Sequence, residues 1–288
     1  MAAKPIISIT TDFGVDDHYV GAMKGVILSI NPDATIVDVN HHVNSYDIFD
    51  AAYSLSQSYH VFPPGTIHLV VVDPGVGSER RPIIVQSKNY RFVAPDNGVL
   101  SMVYEREERV AVRHVTAEHF FRKPVSNTFH GRDIFAPVAG WLSRGMEAEK
   151  FGNVITDYAR FTSVRPKWEN DALLKGVAIK VDKFGNVVTN ISREDVPQLF
   201  GQDPPSFRIR LNGHEVTRIC ESFAAGEGTD LFALVGSSGF IEICTNRGSA
   251  AKALNVNRGV EVEVEVEVEV ALDANPPKAP EASPESLS

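Results

Sequence analysis

Two cysteines in 288 residues, Cys220 and Cys244, form neither a disulfide framework nor a metal-ligand spacing. Such cysteines read as small buried hydrophobes in a reducing cytoplasm. Long uncharged apolar runs are missing, so no membrane-spanning helix and no membrane partner is expected. Residues 1–9 carry one lysine and lack the apolar stretch and cleavage site of a signal peptide. Together these absences lead to the expectation of a cytoplasmic protein. Positive charge is also scarce: the formal net charge is −9, which excludes a general affinity for nucleic acid. Part of that charge sits in a glutamate-rich run near the C-terminus, so the rest of the chain is less acidic than the total. None of the nine histidines falls in a His-Glu-x-x-His pattern, and no metal site is expected.

What is present is ordinary for a globular protein, with 43% hydrophobic and 23% charged residues. The length allows one large domain or two smaller ones. The first half alternates strand-like and helix-like patterns. Residues 5–9 are a short β-branched run. Residues 17–30 then set Tyr19, Val20, Met23, Val26, Ile27 and Ile30 on one helical face, and Asn31-Pro32-Asp33 stops the helix. A strand over 35–39, a helix over 47–59 and an apolar strand over 66–72 follow. This order predicts an α/β domain over residues 1–158 with a mostly parallel sheet flanked by helices. In such sheets ligands bind beyond the carboxyl ends of the strands, where Asp12 and Asp73 fall. Periodicity fades near Arg165-Pro166, and residues 159–173 read as a linker. Short strands over 176–181, 207–211, 232–235, 240–245 and 260–270 predict a smaller β-barrel domain over 174–270. Its last strand alternates valine and glutamate, with one apolar and one acidic face. Residues 271–288, rich in Pro, Ala, Ser and Glu, read as a disordered tail.

Several residues admit both a structural and a chemical role. Asp16 or Asp17 suits a helix cap; Asp12, at a strand end, suits a cap or a sugar diol equally. Asp73-Pro74-Gly75-Val76-Gly77-Ser78-Glu79-Arg80 sets a carboxylate and a guanidinium around a glycine-rich turn, either as a structural ion pair or as a site. That turn matches no standard phosphate-binding spacing. His130 precedes a helix, next to Gly131. Asn186 follows Phe184-Gly185 and is either a turn residue or an amide for a purine edge. Gly236-Ser237-Ser238-Gly239-Phe240 joins two strands and need be no more than a loop.

Taken in order, these segments resemble the S-adenosyl-L-methionine (SAM) hydroxide adenosyltransferase family, adenosine-forming SAM hydrolases related to the fluorinase and chlorinase. The resemblance runs from about Pro5 to about Val270. It rests on Thr11-Asp12-Phe13-Gly14 with Asp16-Asp17, Asp73-Pro74-Gly75-Val76-Gly77 with Arg80, Ala94-Pro95-Asp96-Asn97-Gly98, Phe129-His130-Gly131-Arg132-Asp133, Asp182 with Phe184-Gly185-Asn186, and Ser237 with Gly239-Phe240. It implies that Asp73, Arg80 and His130 surround the attacking water. Asp12 would hold the ribose hydroxyls, Asp182 and Ser237 the methionine amino-acid group, and Asn186 the adenine. Phe184 and Phe223 would pack around the nucleoside, and Tyr46 falls where the halogenases carry a tryptophan. It also implies a homotrimer, with each site between the first domain of one subunit and the second domain of its neighbour.

The implied reaction is attack of water at ribose C5′, giving adenosine and methionine, with SAM as substrate and no cofactor. The sulfonium leaves as a neutral thioether and needs no general acid. Water, with a pKa near ~15.7, is the poor partner; holding it in line with the C5′–S bond supplies roughly 7–11 kcal/mol in favourable cases. Three alternative functions fit the sequence less well. A chloride-using halogenase is disfavoured because Asp73 stands where halogenases have tyrosine, and Gly131 where they have the serine of the halide pocket. The complete Asp73, Arg80 and His130 set disfavours a non-catalytic adenosine or SAM sensor. The absence of a Gly-x-Gly motif after the first strand disfavours a methyltransferase.

Overall fold

The computed structural model describes residues 4–226 and 231–266, and the chain divides into two compact units between Ser163 and Val164. In the first unit, β1 (Ile6–Thr11), α1 (Tyr19–Ile30), β2 (Thr35–Asn40), α2 (Ile48–Ser58) and β3 (Ile67–Val71) follow the alternation read from the sequence. Spacing sets α1, whose Val20, Met23 and Ile27 are buried. Capping sets the start of α2, where the Asp47 side chain accepts from the Asp50 N–H at 3.0 Å. The unit continues through β4 (Pro82–Gln86), β5 (Arg91–Pro95), α3 (Ser101–Arg106), β6 (Ala111–His114), α4 (Ala136–Ser143) and β7 (Val154–Ile155).

The sheet order is β2-β1-β3-β5-β4-β6-β7. The expectation of a mostly parallel sheet is corrected here. β2, β1, β3 and β5 run parallel, but β5–β4, β4–β6 and β6–β7 are antiparallel, so the sheet is mixed. The reason is the tight turn between β4 and β5, where the Ser87 N–H donates to the Tyr90 carbonyl at 3.0 Å. A parallel pair needs a crossover of a dozen or more residues, which this turn does not provide.

β3 lies inside the sheet between β1 and β5 and is buried on both faces, which explains its unbroken apolar run. Ile67, Leu69 and Val71 join Met23, Ile27, Phe135 and Val138 in one core cluster. Val70 and Val72 join Leu55, Phe92 and Val103 in the other. His68 also lies buried, its Nδ1 paired with Ser8 Oγ at 2.7 Å and its ring among Tyr59, Tyr90 and Phe92. Burial holds its pKa down at about 3.

The second unit holds β8 (Lys167–Asn170), β9 (Leu173–Val181), β10 (Val187–Ser192), β11 (Phe207–Leu211), β12 (His214–Val216), β13 (Leu231–Val235), β14 (Phe240–Thr245), α5 (Ala250–Leu254) and β15 (Glu261–Val266). β8 falls within the stretch read as a linker. The strands pair antiparallel in the order β12-β11-β15-β9-β10-β14-β13, with β8 alongside β9. Just after β12, Ile219 bridges to Ala233 of β13, so the two ends of the sheet meet and the barrel is nearly closed.

The valine–glutamate strand is β15, set between β11 and β9. Val262, Val264 and Val266 enter the barrel core. The glutamates meet cations on the flanking strands: Lys175 lies 3.2 Å from Glu263, and Arg210 lies 3.0 Å from Glu265. Residues 267–270 of the expected strand and the tail over 271–288 lie outside the described residues. Among the described residues, no helix is long and apolar enough to cross a membrane.

Candidate active site

Asp73 follows the carboxyl end of β3, and the chain then turns back to Arg80. The turn is held locally, the Val76 N–H donating to the Asp73 carbonyl at 3.2 Å and the Ser78 N–H to the Gly75 carbonyl at 3.0 Å. Gly77 has φ +80°, and a Cβ there would run into the Asn127 carbonyl oxygen. Glycine thus lets this turn lie against the segment that leads to His130. That segment is pinned by the fully buried Asp133, which accepts from the Ser126 N–H at 2.9 Å and from Arg132 Nε at 2.7 Å. Burial raises the Asp133 carboxyl, but hydrogen bonds from Arg132, the Ser126 N–H and Arg122, with the charge of Arg132, together hold it below its ordinary range.

The three residues meet. Arg80 Nε donates to Asp73 Oδ1 at 2.9 Å, Arg80 Nη2 to Asp73 Oδ2 at 2.5 Å, and Nη2 also to His130 Nδ1 at 2.7 Å. The side chains of Arg80 and Asp73 are only 9% and 5% exposed. The guanidinium carbon lies 5.0 Å from the Phe135 ring centroid, which fixes the cation from a further side. A guanidinium has five N–H groups. Nε and Nη2 use three of them, and no hydrogen bond among the described residues takes the two on Nη1. Because arginine only donates, Nδ1 of His130 is the acceptor and the neutral ring carries its proton on Nε2. Burial first, and then the Arg80 charge, lowers the His130 pKa.

Asp12 follows β1, and its Oδ2 accepts from the Tyr46 N–H at 2.8 Å. Tyr46 has φ 66° and is 74% exposed. Asp16 and Asp17 do not cap α1, contrary to expectation. The cap position is His18, without a side-chain hydrogen bond. The aspartates precede the cap position, and the first turn of α1 carries no acidic residue.

In the second unit, Asp182 closes the turn after β9. Its Oδ1 accepts from the Phe184 and Asn186 N–H groups, both at 2.8 Å, and its Oδ2 from Asn186 Nδ2 at 2.9 Å. Phe184, Asn186 and Phe223 line one cavity of about 520 Å³ with residues 245–249. Phe184 and Phe223 are 76% and 50% exposed. Ser237 does not line that cavity; it lies exposed in the β13–β14 turn. The sequence reading passed over Thr245, Asn246 and Arg247, which share the cavity with Asn186. Among the described residues, no three His, Cys, Asp or Glu side chains gather as metal ligands do.

The first unit carries an Asp73–Arg80 ion pair joined to His130 beyond the carboxyl end of β3, and the second carries an aromatic-lined cavity in a barrel; this two-domain make-up is found in known proteins. Residues 7–152 match the SAM hydroxide adenosyltransferase N-terminal domain and residues 176–263 match the C-terminal domain of the same family. The chain belongs to the SAM hydroxide adenosyltransferase family. It is 36% identical to a protein of Methanocaldococcus jannaschii named (R)-S-adenosyl-L-methionine hydrolase, over 90% of this chain and 95% of that one. It is 29% identical to a fluorinase of Nocardia brasiliensis, over 90% and 96% of the two chains. A crystal structure of an uncharacterized conserved protein from Thermotoga maritima is similar with a TM-score of 0.83 at 38% identity, covering 90% of this chain and 99% of that one.

Proposed function

We propose that this protein hydrolyses SAM, passing the adenosyl group to a water-derived hydroxide and giving adenosine and L-methionine. The observation that carries the reading is the clamped guanidinium of Arg80. It is held by Asp73 and His130 and keeps the two N–H groups of Nη1 for a developing oxyanion. In the step, the water oxygen forms a bond to ribose C5′ and the C5′–S bond breaks. The electron pair stays on sulfur, which leaves as the neutral thioether of methionine. Positive charge at Arg80 favours hydroxide over water.

His130 acts as a donor in this scheme. Its Nδ1 is occupied by Arg80 and its Nε2 already bears a proton, so it orients the water by hydrogen bonding. Asp73, whose oxygens each keep a lone pair beside Arg80, takes the proton. A carboxylate at position 73 would also repel a halide nucleophile. Asp12 holds the ribose diol beside Tyr46, Asn186 reads the adenine edge with Phe184 and Phe223 around it, and Asp182 and Ser237 hold the amino-acid end. No cofactor enters the scheme.

Adenine-end and amino-acid-end residues lie in the second unit and ribose-end and water-end residues in the first, and exposed aromatic side chains occur in both. A homotrimer whose sites combine the first unit of one subunit with the second unit of its neighbour accounts for that division. Cys220 and Cys244 are buried and free, in keeping with a cytoplasmic protein.

The deciding experiment is incubation with SAM in ¹⁸O-water, with products identified by mass spectrometry and the two sulfonium epimers supplied separately. Adenosine labelled at its 5′-oxygen and unlabelled methionine are expected. Adenine with S-ribosylmethionine, a 5′-chlorinated nucleoside, or intact SAM would each overturn the reading.

A further inference from the structure

The Ala94-Pro95-Asp96-Asn97-Gly98 segment stands at the carboxyl end of β5 and has no part in the scheme above. Its place in the sheet gives it one. The order β3-β5-β4 sets β5 between the strand that delivers Asp73 and the strand that follows Arg80. The turn from Asp73 to Arg80 therefore crosses over the carboxyl end of β5. Residues 74 and 76–79 are exposed, so this turn has no core of its own to fix its shape. Its placement depends on how its two ends are held.

Both ends are held from the segment after β5. On one side, Asn97 Nδ2 donates to the Val72 carbonyl at 2.9 Å, directly before Asp73. On the other, the Asp96 N–H donates to the Arg81 carbonyl at 2.8 Å, and the Asp96 carboxylate accepts from Arg81 Nε at 2.9 Å, directly after Arg80. The two holding side chains are themselves fixed. Asn97 Oδ1 accepts from the Val99 N–H at 3.1 Å, and Asp96 Oδ1 from the Ala159 N–H at 2.7 Å. The Asp96 side chain is only 3% exposed. Two adjacent residues thus bridge across β5, Asn97 to the end of β3 and Asp96 to the start of β4. They set the separation of the two ends of the turn, and with it the reach of Arg80 to Asp73 and His130.

We propose that Asn97 and Asp96 are positioning residues for the Asp73, Arg80 and His130 set. The inference rests on the reading of Arg80 as the group that favours hydroxide, and it adds the residues that keep that group in place. The hydrogen bonds of Asn97 and Asp96 go to the protein itself, so they act on the reaction only through the turn. Electrostatic stabilisation depends on donors that are already placed when charge develops. A misplacement of about 1 Å can cost on the order of 10²-fold in rate.

The test uses the intact protein and Asn97→Ser, which keeps a short acceptor for the Val99 N–H and cannot span to the Val72 carbonyl. Its kcat with SAM should fall roughly tenfold or more. KM, and the Kd of S-adenosylhomocysteine measured by calorimetry, should change little. In an Arg80→Ala background the same substitution should lower kcat hardly further, because residues that act as one unit are not additive. Ring-¹⁵N NMR of His130, assigned by its loss in His130→Gln, reads the arrangement without turnover. Its signal should move in Asn97→Ser, since the ring is hydrogen-bonded to Arg80. Asp96→Asn keeps an acceptor for the Ala159 N–H and removes the charge that faces Arg81. It should show the same kcat-selective loss and moved signal, and it carries the test if Asn97→Ser does not fold. A parallel loss of kcat and S-adenosylhomocysteine affinity, or a loss that adds in full to that of Arg80→Ala, would mark a merely structural role and overturn the proposal. An unmoved His130 signal or an unchanged kcat would overturn it too. A wild type that forms no adenosine, with the His130 signal still moved in Asn97→Ser, would sink the reaction and leave the positioning role standing.

Discussion

Arg80 concentrates the chemistry at the scale of single residues. If its Nη1 donors stabilise hydroxide, Arg80→Ala should lower kcat by ~10²–10³-fold and change SAM affinity much less. Asp12→Ala should do the reverse, because a diol contact exists in ground and transition states alike and appears in KM. Steady-state kinetics on the two variants separates chemistry from recognition; an Arg80→Ala enzyme with wild-type kcat would reduce Arg80 to an ion-pair partner of Asp73. A second residue sets an acid limit. The pKa of His68 is lowered to about 3 by burial, against an ordinary value of 6.5. Above that ordinary value the ring is neutral folded and unfolded, and pH does not matter. As pH falls from 6.5 toward 3, the unfolded chain binds a proton that the folded chain refuses, so stability falls, by at most about 1.4 kcal/mol per pH unit. Melting curves at pH 7.5 and 5 should show a smaller acid loss of Tm in His68→Gln than in the wild type. Equal losses would clear His68 of this role.

Secondary-structure elements were unequally legible. The helical spacing of Val20, Met23 and Ile27 and the cap at Asp47 made α1 and α2 readable. So did the apolar run of β3, whose two-sided burial gives it no alternation. Strand direction left no such trace. β4 and β5 are apolar runs whose antiparallel pairing depends on the turn at residues 87–90, and that turn carries no Asn-Gly or Asp-Gly signal. Among the short elements, β15 makes the clearest prediction, because its two faces do different work. Val264 is buried in the barrel, so Val264→Ala should cost ~2 kcal/mol or more at any ionic strength. Glu263 faces Arg210 and Lys175 on its two neighbouring strands. Glu263→Lys should therefore cost about 1 kcal/mol at low salt, and the loss should shrink in 1 M salt as screening sets in. Thermal melts at two salt concentrations distinguish the faces; a salt-independent Glu263→Lys penalty would contradict the charge ladder.

Across the whole chain, the site was legible as motifs and not as an assembly. Asp73 and Arg80 share one turn and are readable together. Their meeting with His130 depends on Gly77 lying against Asn127, a tertiary contact with no sequence signature. The quaternary expectation has its own check. Light scattering at assay concentration should report a trimer, and an active monomer would rule out shared sites. Mixing Arg80→Ala with Asn186→Ala subunits should restore part of the activity that each variant lacks alone, since some sites would then combine two intact units.

The setting of β15 also bears on how the chain behaves when it is not fully folded. Strict valine–glutamate alternation is a pattern that pairs readily with any open strand edge. In the barrel both of its edges are occupied, one by β11 and the other by β9, and β15 in turn covers an edge of each. A chain that ends before residue 261 would therefore release two strand edges at once. Its first consequence would be self-association by strand exchange, with fibrils or amorphous aggregates appearing before any loss in the first unit. The repetitive strand acts as the barrel's own gatekeeper against polymerisation.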